Sequence, residues 1–520
     1  MKQLPVLLKD DRVFDAVTLP FLGILQALFL GVGVFATREA FAAIHVGEDL
    51  AGWTMIKLIG VGIAVSCLEV LIRTTSERIG QSYANSLRIT LYAHLAGMRY
   101  SELQRRRLGA LSLRFVGDLT AARNWFGQGM PRVIAAAFIL PGAGFTLWLL
   151  DPQIAKVSVS ILVITMLAMA AAAYGFDILH QTLRGRRANI SIAMIERIAV
   201  APLLDLMGRT TKELDALNAQ GQQLRVDATA RAWRAGTLTT IPQLGLALAG
   251  VGTLWIATTS QLPTGTVAAA LSMLAILALP LRDLAQAWDQ FSAWRIARDK
   301  ALRLLSNNSK LRRTKRWGAP VSVEIEDAQS TRLPAISIAA GTTVELSGGD
   351  LSERSRLARA IAGLDDPKGW TILYDGQCKY IPRIGFVDKT PLAIQGSLRR
   401  VLTLGSPRRP KDDAILRMAK HFGLSDLLSR DADALMTRIS EGAHNVNTAQ
   451  GLRIDLTRVA LSKPDLIVVD TARLAGEPDA MLLIDQLRTV VESTIIIIGR
   501  RATQRPDIHF VVIPPGRSAA

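Results

Sequence analysis

The sequence predicts two domains of different class. An all-α domain of six membrane-spanning helices occupies residues 1–305, a linker covers 306–319, and an α/β domain fills 320–516. Three observations predict this division. Mean hydropathy is positive, +0.26, over 520 residues that are 49% hydrophobic, which is unusual for a water-soluble chain. Apolar stretches of about 20 residues, the length that crosses a bilayer, occur at six places. Beyond them the pattern changes to short β-type runs alternating with helical ones.

The spans run roughly over Ala16–Thr37, Ile56–Ile72, Val133–Leu150, Ile154–Phe176, Leu238–Thr258 and Val267–Leu284. The first is too long for the apolar core of a signal peptide and is followed by further spans, so it reads as an uncleaved helix. Connections between spans alternate in length and charge. The short ones, Arg38–Met55, Asp151–Pro152 and Thr259–Pro263, hold Arg38 as their sole Lys or Arg. The long ones, Thr74–Arg132 and Asp177–Gly236, are rich in arginine, including Arg78, Arg88, Arg99, Arg105, Arg106, Arg107, Arg114 and Arg123. The positive-inside bias therefore puts the long loops and both termini in the cytosol. A bacterial inner (plasma) membrane is the expected location, although no motif in the sequence specifies it. Trp53, Trp148 and Trp255 fall at the opposite edge, as an aromatic belt requires.

The formal net charge is +17. A basic balance suits nucleic acid or an anionic membrane surface. Here the excess sits in loops that face the cytosolic leaflet, so lipid is the partner and nucleic acid is not. The same long loops carry few helix breakers and a helical apolar period, as at Leu87, Leu91 and Leu95, and read as helices continuing far below the membrane. Glu69 and Arg73, one turn apart at the inner end of the second span, read as a satisfied ion pair. Cys67 and Cys378 fall in different domains, which argues against a disulfide, and the six histidines form no ligand spacing with them.

After the sixth span a helical stretch, Arg282–Leu305, leads into the basic linker, with Arg312, Arg313, Lys315 and Arg316 reading as solvated charge near headgroups. The β-type runs include Thr342–Leu346, Ile384–Val387, Leu466–Val469 and Thr494–Ile498. Apolar strands alternating with helices predict a largely parallel, buried sheet.

Four segments carry a resemblance that names the domain. "GTTVELSGGDLSERSRLARAIAGLDDPKGWTILYDG" begins at Gly341, "IGFVDKTPLAIQGSLRRVL" at Ile384, "RIDLTRVALSKPDLIVVD" at Arg453 and "TIIIIGRR" at Thr494. In order and spacing they resemble the phosphate loop, post-Q-loop segment, signature helix with Walker B strand, and switch strand of the ABC ATPase domain. Six spans with short outer turns and long inner excursions are the layout of an ABC exporter half, so the resemblance covers nearly the whole chain. "RRRLGALSLRFVGDL" (Arg105–Leu119) resembles the exporter inner loop that docks on the nucleotide domain, and Ile195–Met207 would be its counterpart in the second loop.

Residue by residue, the chemistry implied by that resemblance is mostly replaced. A phosphate loop uses GxxxxGK[ST], in which glycines admit backbone N–H groups, Lys neutralises phosphate and the hydroxyl holds Mg²⁺. This chain keeps Gly348 and Ser355, puts Arg354 where the lysine stands and Glu353 where the second glycine stands, and adds Asp350. Asp470 keeps the Walker B acid, but Thr471 follows where a general-base glutamate belongs. Lys389 stands at the Q-loop position, and Val446, Asn447, Thr448, Ala449 and Gln450 replace the signature LSGGQ. Arg500 takes the switch-histidine position, where a guanidinium can hold phosphate but not shuttle a proton.

The candidate nucleotide-binding residues are therefore Gly348, Arg354, Ser355, Asp470, Asn447, Gln450 and Arg500, with Ser355 and Asp470 for Mg²⁺. ATP and Mg²⁺ would bind weakly or not at all, no residue is assigned as catalytic, and the chain by itself is expected to hydrolyse little or no ATP. The same loop also reads as a structural strand–turn–helix without nucleotide. The implied partner is a second, catalytically competent half-transporter whose loop binds ATP against Asn447 and Gln450. Two other readings stay open: a non-transporting membrane scaffold or regulator on the inherited fold, and a divergent homodimeric exporter. The cargo is not written in these motifs.

Overall fold

The computed structural model describes residues 4–9, 12–106, 111–112, 114–174, 176–306, 314–315, 318–327, 336–347, 351–367, 370–378, 380–388, 392, 394–431, 433–470, 479–498 and 509–512. Two compact units emerge. The first comprises Met1–Ala96 with Arg105–Asn307, and the second Gly97–Gln104 with Asn308–Ala520.

The first unit holds helices and no strand among its described residues. Its main helices are α1 (Arg12–Val46), α2 (Gly52–Ala96), α3 (Met130–Leu150), α4 (Pro152–Ala173), α5 (Phe176–Leu206), α6 (Thr210–Thr259) and α7 (Thr264–Leu305). Six helices are long and apolar enough to cross a membrane: α1, α2, α3 with its approach from Phe115, α4, α6 and α7. Each coincides with one of the six apolar stretches. The fourth ends earlier than its apolar stretch, because Tyr174 turns to an extended conformation after Ala173. The tightest connection is a single residue, Asp151. Its Oδ1 accepts from the backbone N–H of Gln153 and Ile154, and Pro152 occupies the first helical position, so one polar residue starts α4 directly after α3.

Three helices run on well past the apolar stretches, with α2 at 45 residues, α6 at 50 and α7 at 42. The first long loop behaves differently. Its helix stops at Ala96, a single-turn helix follows at Tyr100–Gln104, and the approach to α3 contains π-helical turns at Arg114–Asp118 and Trp125–Gly129. A π turn inserts a residue and rotates the helix face. The second one puts Phe126 against Tyr83 of α2, ring centroids 3.9 Å apart, and both against Trp294 of α7. The backbones close up here as well. A Cβ on Gly80 would lie 2.7 Å from the Cα of Gly127, so only glycine admits that crossing.

The core of this unit forms around α7, whose Ala269, Ala270, Met273, Leu274, Leu277 and Leu281 are buried against Val34, Ile139, Ala143, Leu147 and Ala249. Within a bilayer these groups leave lipid rather than water, so close van der Waals packing and not the hydrophobic effect holds the helices together. Glu69 and Arg73 form the ion pair expected one turn apart, Nε to Oε1 at 2.8 Å. Cys67 and Cys378 are free thiols.

The second unit is built on strands β1 (Val323–Asp327), β2 (Ile336–Ile338), β3 (Thr343–Ser347), β4 (Trp370–Tyr374), β5 (Ile384–Val387), β6 (Leu466–Asp470), β7 (Thr494–Ile498) and β8 (His509–Val512). A parallel sheet runs in the order β8-β3-β7-β6-β5, and a smaller antiparallel sheet in the order β2-β1-β4. Every residue of β6 and β7 is buried, as expected where both faces of a parallel sheet are covered. Helices α8 (Leu351–Ile361), α9 (Thr448–Ser462) and α10 (Ala480–Val490) accompany it. A smaller helical cluster gathers Leu398, Leu402, Ile415, Leu424, Leu427 and Ile454.

Candidate functional site

The strand register fixes which motif segments meet. Leu346 pairs with Ile498, and Ile498 with Asp470, so β3, β7 and β6 finish side by side at one edge of the sheet. Ligand sites of open parallel sheets form at the carboxyl ends of their strands. The ends of β3 and β6 thus lie on either side of β7, and Ser355 on the helix after β3 reaches Asp470, 115 residues away in sequence.

Two of the candidate residues touch there. Ser355, in the second turn of α8, donates its hydroxyl to Asp470 Oδ2 at 3.0 Å, and both side chains are buried. A hydroxyl and a carboxylate held together are hard oxygen donors of the kind Mg²⁺ takes. Arg354 precedes Ser355, and its Nε is buried without a hydrogen-bond partner among the described residues. A buried unpaired guanidinium N–H marks a place for an anion or water.

Asn447 and Gln450 form a second, separate pair. Asn447 is the N-cap of α9, its Oδ1 accepting from Gln450 N at 2.7 Å, while Gln450 Oε1 accepts from Asn447 N at 3.3 Å. This reciprocal capping box satisfies two of the N–H groups that a helix start leaves unpaired. Asn447 is exposed, and its Nδ2 takes no part in the cap. The side chain thus helps to hold the helix start in shape while presenting an amide donor outward. Gly348, Gly349, Asp350, Lys389, Thr471 and Arg500 lie outside the described residues.

A third constellation has no counterpart among the sequence motifs. The unit that contains the sheet also contains Gly97–Gln104, a fragment of the first long loop. Tyr100 donates its hydroxyl to Asp388 Oδ2 at 2.9 Å and its backbone N–H to Leu364 O at 3.0 Å. Ser101 gives both its N–H and its hydroxyl to Asp365 Oδ1, each at 2.9 Å. Asp365 Oδ2 is held in turn by Arg359 Nε at 3.1 Å, and Arg99 pairs with Asp366. The resemblance points to Arg105–Leu119 as the docking segment. Arg107–Ala110 and Leu113 of that segment lie outside the described residues; the described contacts come from Arg99–Ser101, just upstream, where an arginine, a hydroxyl and a tyrosine meet Asp366, Asp365 and Asp388. The pair Asp365–Asp366 was the available sequence signal. Ile195–Met207 lies in the first unit, where the α5–α6 turn exposes Leu203, Leu206 and Met207.

Six apolar helices followed by a parallel-sheet domain of this topology define an ABC exporter-type half-transporter. Residues 13–281 match the family model for the ABC transporter transmembrane region, just over half the chain, and the protein belongs to that family. Over 515 residues it is 19% identical to the ABC transporter ATP-binding protein YknV of Bacillus subtilis, covering 94% of this chain and 84% of that one. The multidrug efflux ATP-binding/permease protein Rv0194 of Mycobacterium tuberculosis is 25% identical over 247 residues, 44% of this chain and 20% of that longer protein. Among solved structures, a bacterial Atm1-family ABC exporter with ATP bound superposes with a TM-score of 0.81 at 17% identity, covering 96% of this chain and 93% of the other. The chain is accordingly a multi-pass membrane protein and a subunit of an ABC exporter-type transporter.

Proposed function

We propose that this chain is the non-hydrolysing half of a heteromeric exporter, working with a second half-transporter that carries the ATPase chemistry. The observation that carries the reading is the set of replacements in the motif sequence, above all Thr471 directly after Asp470. A threonine hydroxyl cannot act as a base at neutral pH, so the position expected to hold a glutamate has no proton acceptor for the attacking water. Arg354 and Glu353 alter the phosphate loop, Lys389 and Arg500 alter the Q-loop and switch positions, and a homodimer would carry all these changes twice.

What remains suits a structural half-site. Ser355 and Asp470 would hold Mg²⁺, and Arg354 would meet a nucleotide phosphate, for which its buried unpaired Nε is suited. Bound Mg²⁺ would neutralise phosphate charge there. Across the dimer, the partner's own phosphate loop would face the start of α9, with Asn447 Nδ2 donating to a phosphate oxygen. The Arg99–Ser101 contacts supply the mechanical link between the first long loop and the sheet unit. The exposed apolar turn at Leu203, Leu206 and Met207 supports contact with a partner subunit. Both termini would lie in the cytosol of a bacterial cell, with the spans in the inner membrane.

The test is ATP turnover in lipid by the purified chain alone and after capture of its native partners. Turnover that appears only with a co-captured half-transporter is the expected result. Turnover by the chain alone would overturn the proposal in favour of an active homodimer. Absence of turnover in both, with no second half-transporter captured, would leave the scaffold reading.

A further inference from the structure

The approach to α3 passes between α2 and α7 at a point where its own sequence gives it little reason to stay helical. Trp125–Gly129, sequence WFGQG, is the second π turn of that approach, and two of its five residues are glycine, a weak helix former. A π turn carries one residue more than an α turn, is rare, and occurs mostly as a single insertion at functional places. Tertiary contacts must therefore hold this one. They come from both sides. On α2, Glu77 Oε1 accepts from Arg123 Nη2 at 2.7 Å just before the turn, Gly80 crosses Gly127, and Tyr83 packs on Phe126. On α7, Gln290 Nε2 donates to Gln128 Oε1 at 3.1 Å, Phe291 packs on Trp125 with centroids 4.9 Å apart, and Trp294 meets Phe126 at 5.4 Å. A Cβ on Gly129 would lie 2.6 Å from the Trp125 ring and 2.9 Å from Gln290 Oε1, so the turn is closed against α7 as tightly as against α2.

Both α7 and the approach to α3 lead by chain into the sheet unit. Helix α7 ends at Leu305 before the linker, and Arg114–Asn124 follows the Tyr100–Gln104 fragment that belongs to that unit. A pull on either is felt first where the two meet, at Gln128, Trp125 and Phe126. Loss of the α7 contacts removes half of what offsets the inserted residue. On the α2 side the Glu77–Arg123 pair, 39% exposed at each partner, is a tie that solvent readily replaces.

We propose that Trp125–Gly129 is a conformational switch: it is held as a π turn while α7 packs on it, and it closes into an ordinary α turn when α7 withdraws. Closure returns one residue to the regular helix, which turns Arg114–Asn124 relative to α3 by about 100° and lengthens the helix by about 1.5 Å. The first long loop and the third span thus have two registers, and α7 selects between them.

The test needs neither nucleotide nor partner. The full chain in phosphatidylcholine nanodiscs, with Cys67→Ser and Cys378→Ser to remove its free thiols, carries single substitutions Leu119→Cys, Thr120→Cys, Ala121→Cys or Ala122→Cys and is labelled with N-ethylmaleimide. Of these positions Thr120 is exposed and the other three are buried, so Thr120→Cys reacts fastest. About 100° is the angle between successive helical residues, so closure moves the reactive position to a neighbour, Leu119 or Ala121. In the background Phe291→Ala/Trp294→Ala the expected result is a fall of about tenfold at Thr120→Cys and a rise of about tenfold at one neighbour. Phe291→Leu/Trp294→Phe, which keeps bulk against the turn, should retain the original pattern. An unchanged pattern in the alanine background would overturn the switch. So would a uniform rise at all four positions, which marks local melting and not a second register. Where the alanine pair does not fold, Gly127→Ala takes its place, because its methyl would lie 3.2 Å from the Gly80 Cα and oppose the π turn, and the same outcomes decide. ATP turnover by the chain alone, which sinks the heteromer reading, leaves this result untouched.

Discussion

Two corners of the sheet unit differ in how completely they are furnished. At the corner that receives Arg99–Ser101, the contacts are dense: arginine meets aspartate, a hydroxyl and an N–H share one carboxylate oxygen, and Arg359 secures the other oxygen of the same carboxylate, while Arg99 Nε is buried without a partner among the described residues. At the corner where β3, β6 and β7 end, Ser355 and Asp470 hold each other while Arg354 Nε is buried without a partner among the described residues. The same domain thus keeps a densely paired contact at one corner and a sparser one at the other, where the replacements proposed above would fall. That contrast is what a subunit needs if it follows its partner's ATP cycle without driving one of its own.

The largest effect should come from breaking the furnished corner. Asp365→Ala removes the acceptor for Ser101 and leaves Arg359 without its carboxylate, both ionic side chains being at most 15% exposed. A cost of about 2 kcal/mol to the unit is expected, since an uncompensated buried charge remains. Partner-dependent ATP turnover and transport should fall by roughly tenfold or more, on the scale of 1.4 kcal/mol per decade. Turnover unchanged in proteoliposomes would show that these contacts carry no coupling. Next, Asn447→Asp keeps an oxygen to cap α9 but replaces the amide donor by a carboxylate. Thermal unfolding should move little, while turnover by the complex should drop about tenfold because a negative charge would face phosphate. If Asn447→Asp and wild type turn over alike, the start of α9 does not meet the partner's nucleotide.

The smallest effect should come from the chemical corner itself. Ser355→Ala deletes one hydrogen bond to Asp470, worth about 1 kcal/mol. Turnover by the complex should change less than about twofold, because hydrolysis would belong to the partner's site, and about 1 kcal/mol would shift the unfolding midpoint by roughly 2–4 °C. A collapse of turnover in this variant would mean that the Ser355–Asp470 pair belongs to a working ATP site and would erase the contrast between the corners.

The architecture is largely legible in the sequence, and for local reasons. Apolar runs specify the six spanning helices, two-sided burial specifies β6 and β7, and the spacing of Glu69 and Arg73 by one turn specifies their pairing. The Ser355–Asp470 contact is legible because the resemblance puts both residues in motifs that meet at one sheet edge. The contacts of Arg99–Ser101 are not. Tyr100 and Asp388 are 288 residues apart, Ser101 and Asp365 are 264 apart, and neither pair leaves a periodicity or a spacing to read. The π turn at Trp125–Gly129 is equally silent, since it follows from the close crossing of Gly80 and Gly127 and not from any helix-breaking residue nearby.

The length of α6 has a consequence of its own. Fifty residues of helix at 1.5 Å each, with Pro242 inside, run about 75 Å along the axis. Pivoting such a rod by about 5° at one end carries the other end roughly 6 Å, more than one helical pitch. A side chain that merely re-seats at one end of α6 would thus be magnified at the other, so the displacement this helix can pass on depends as much on its reach as on the strength of any contact.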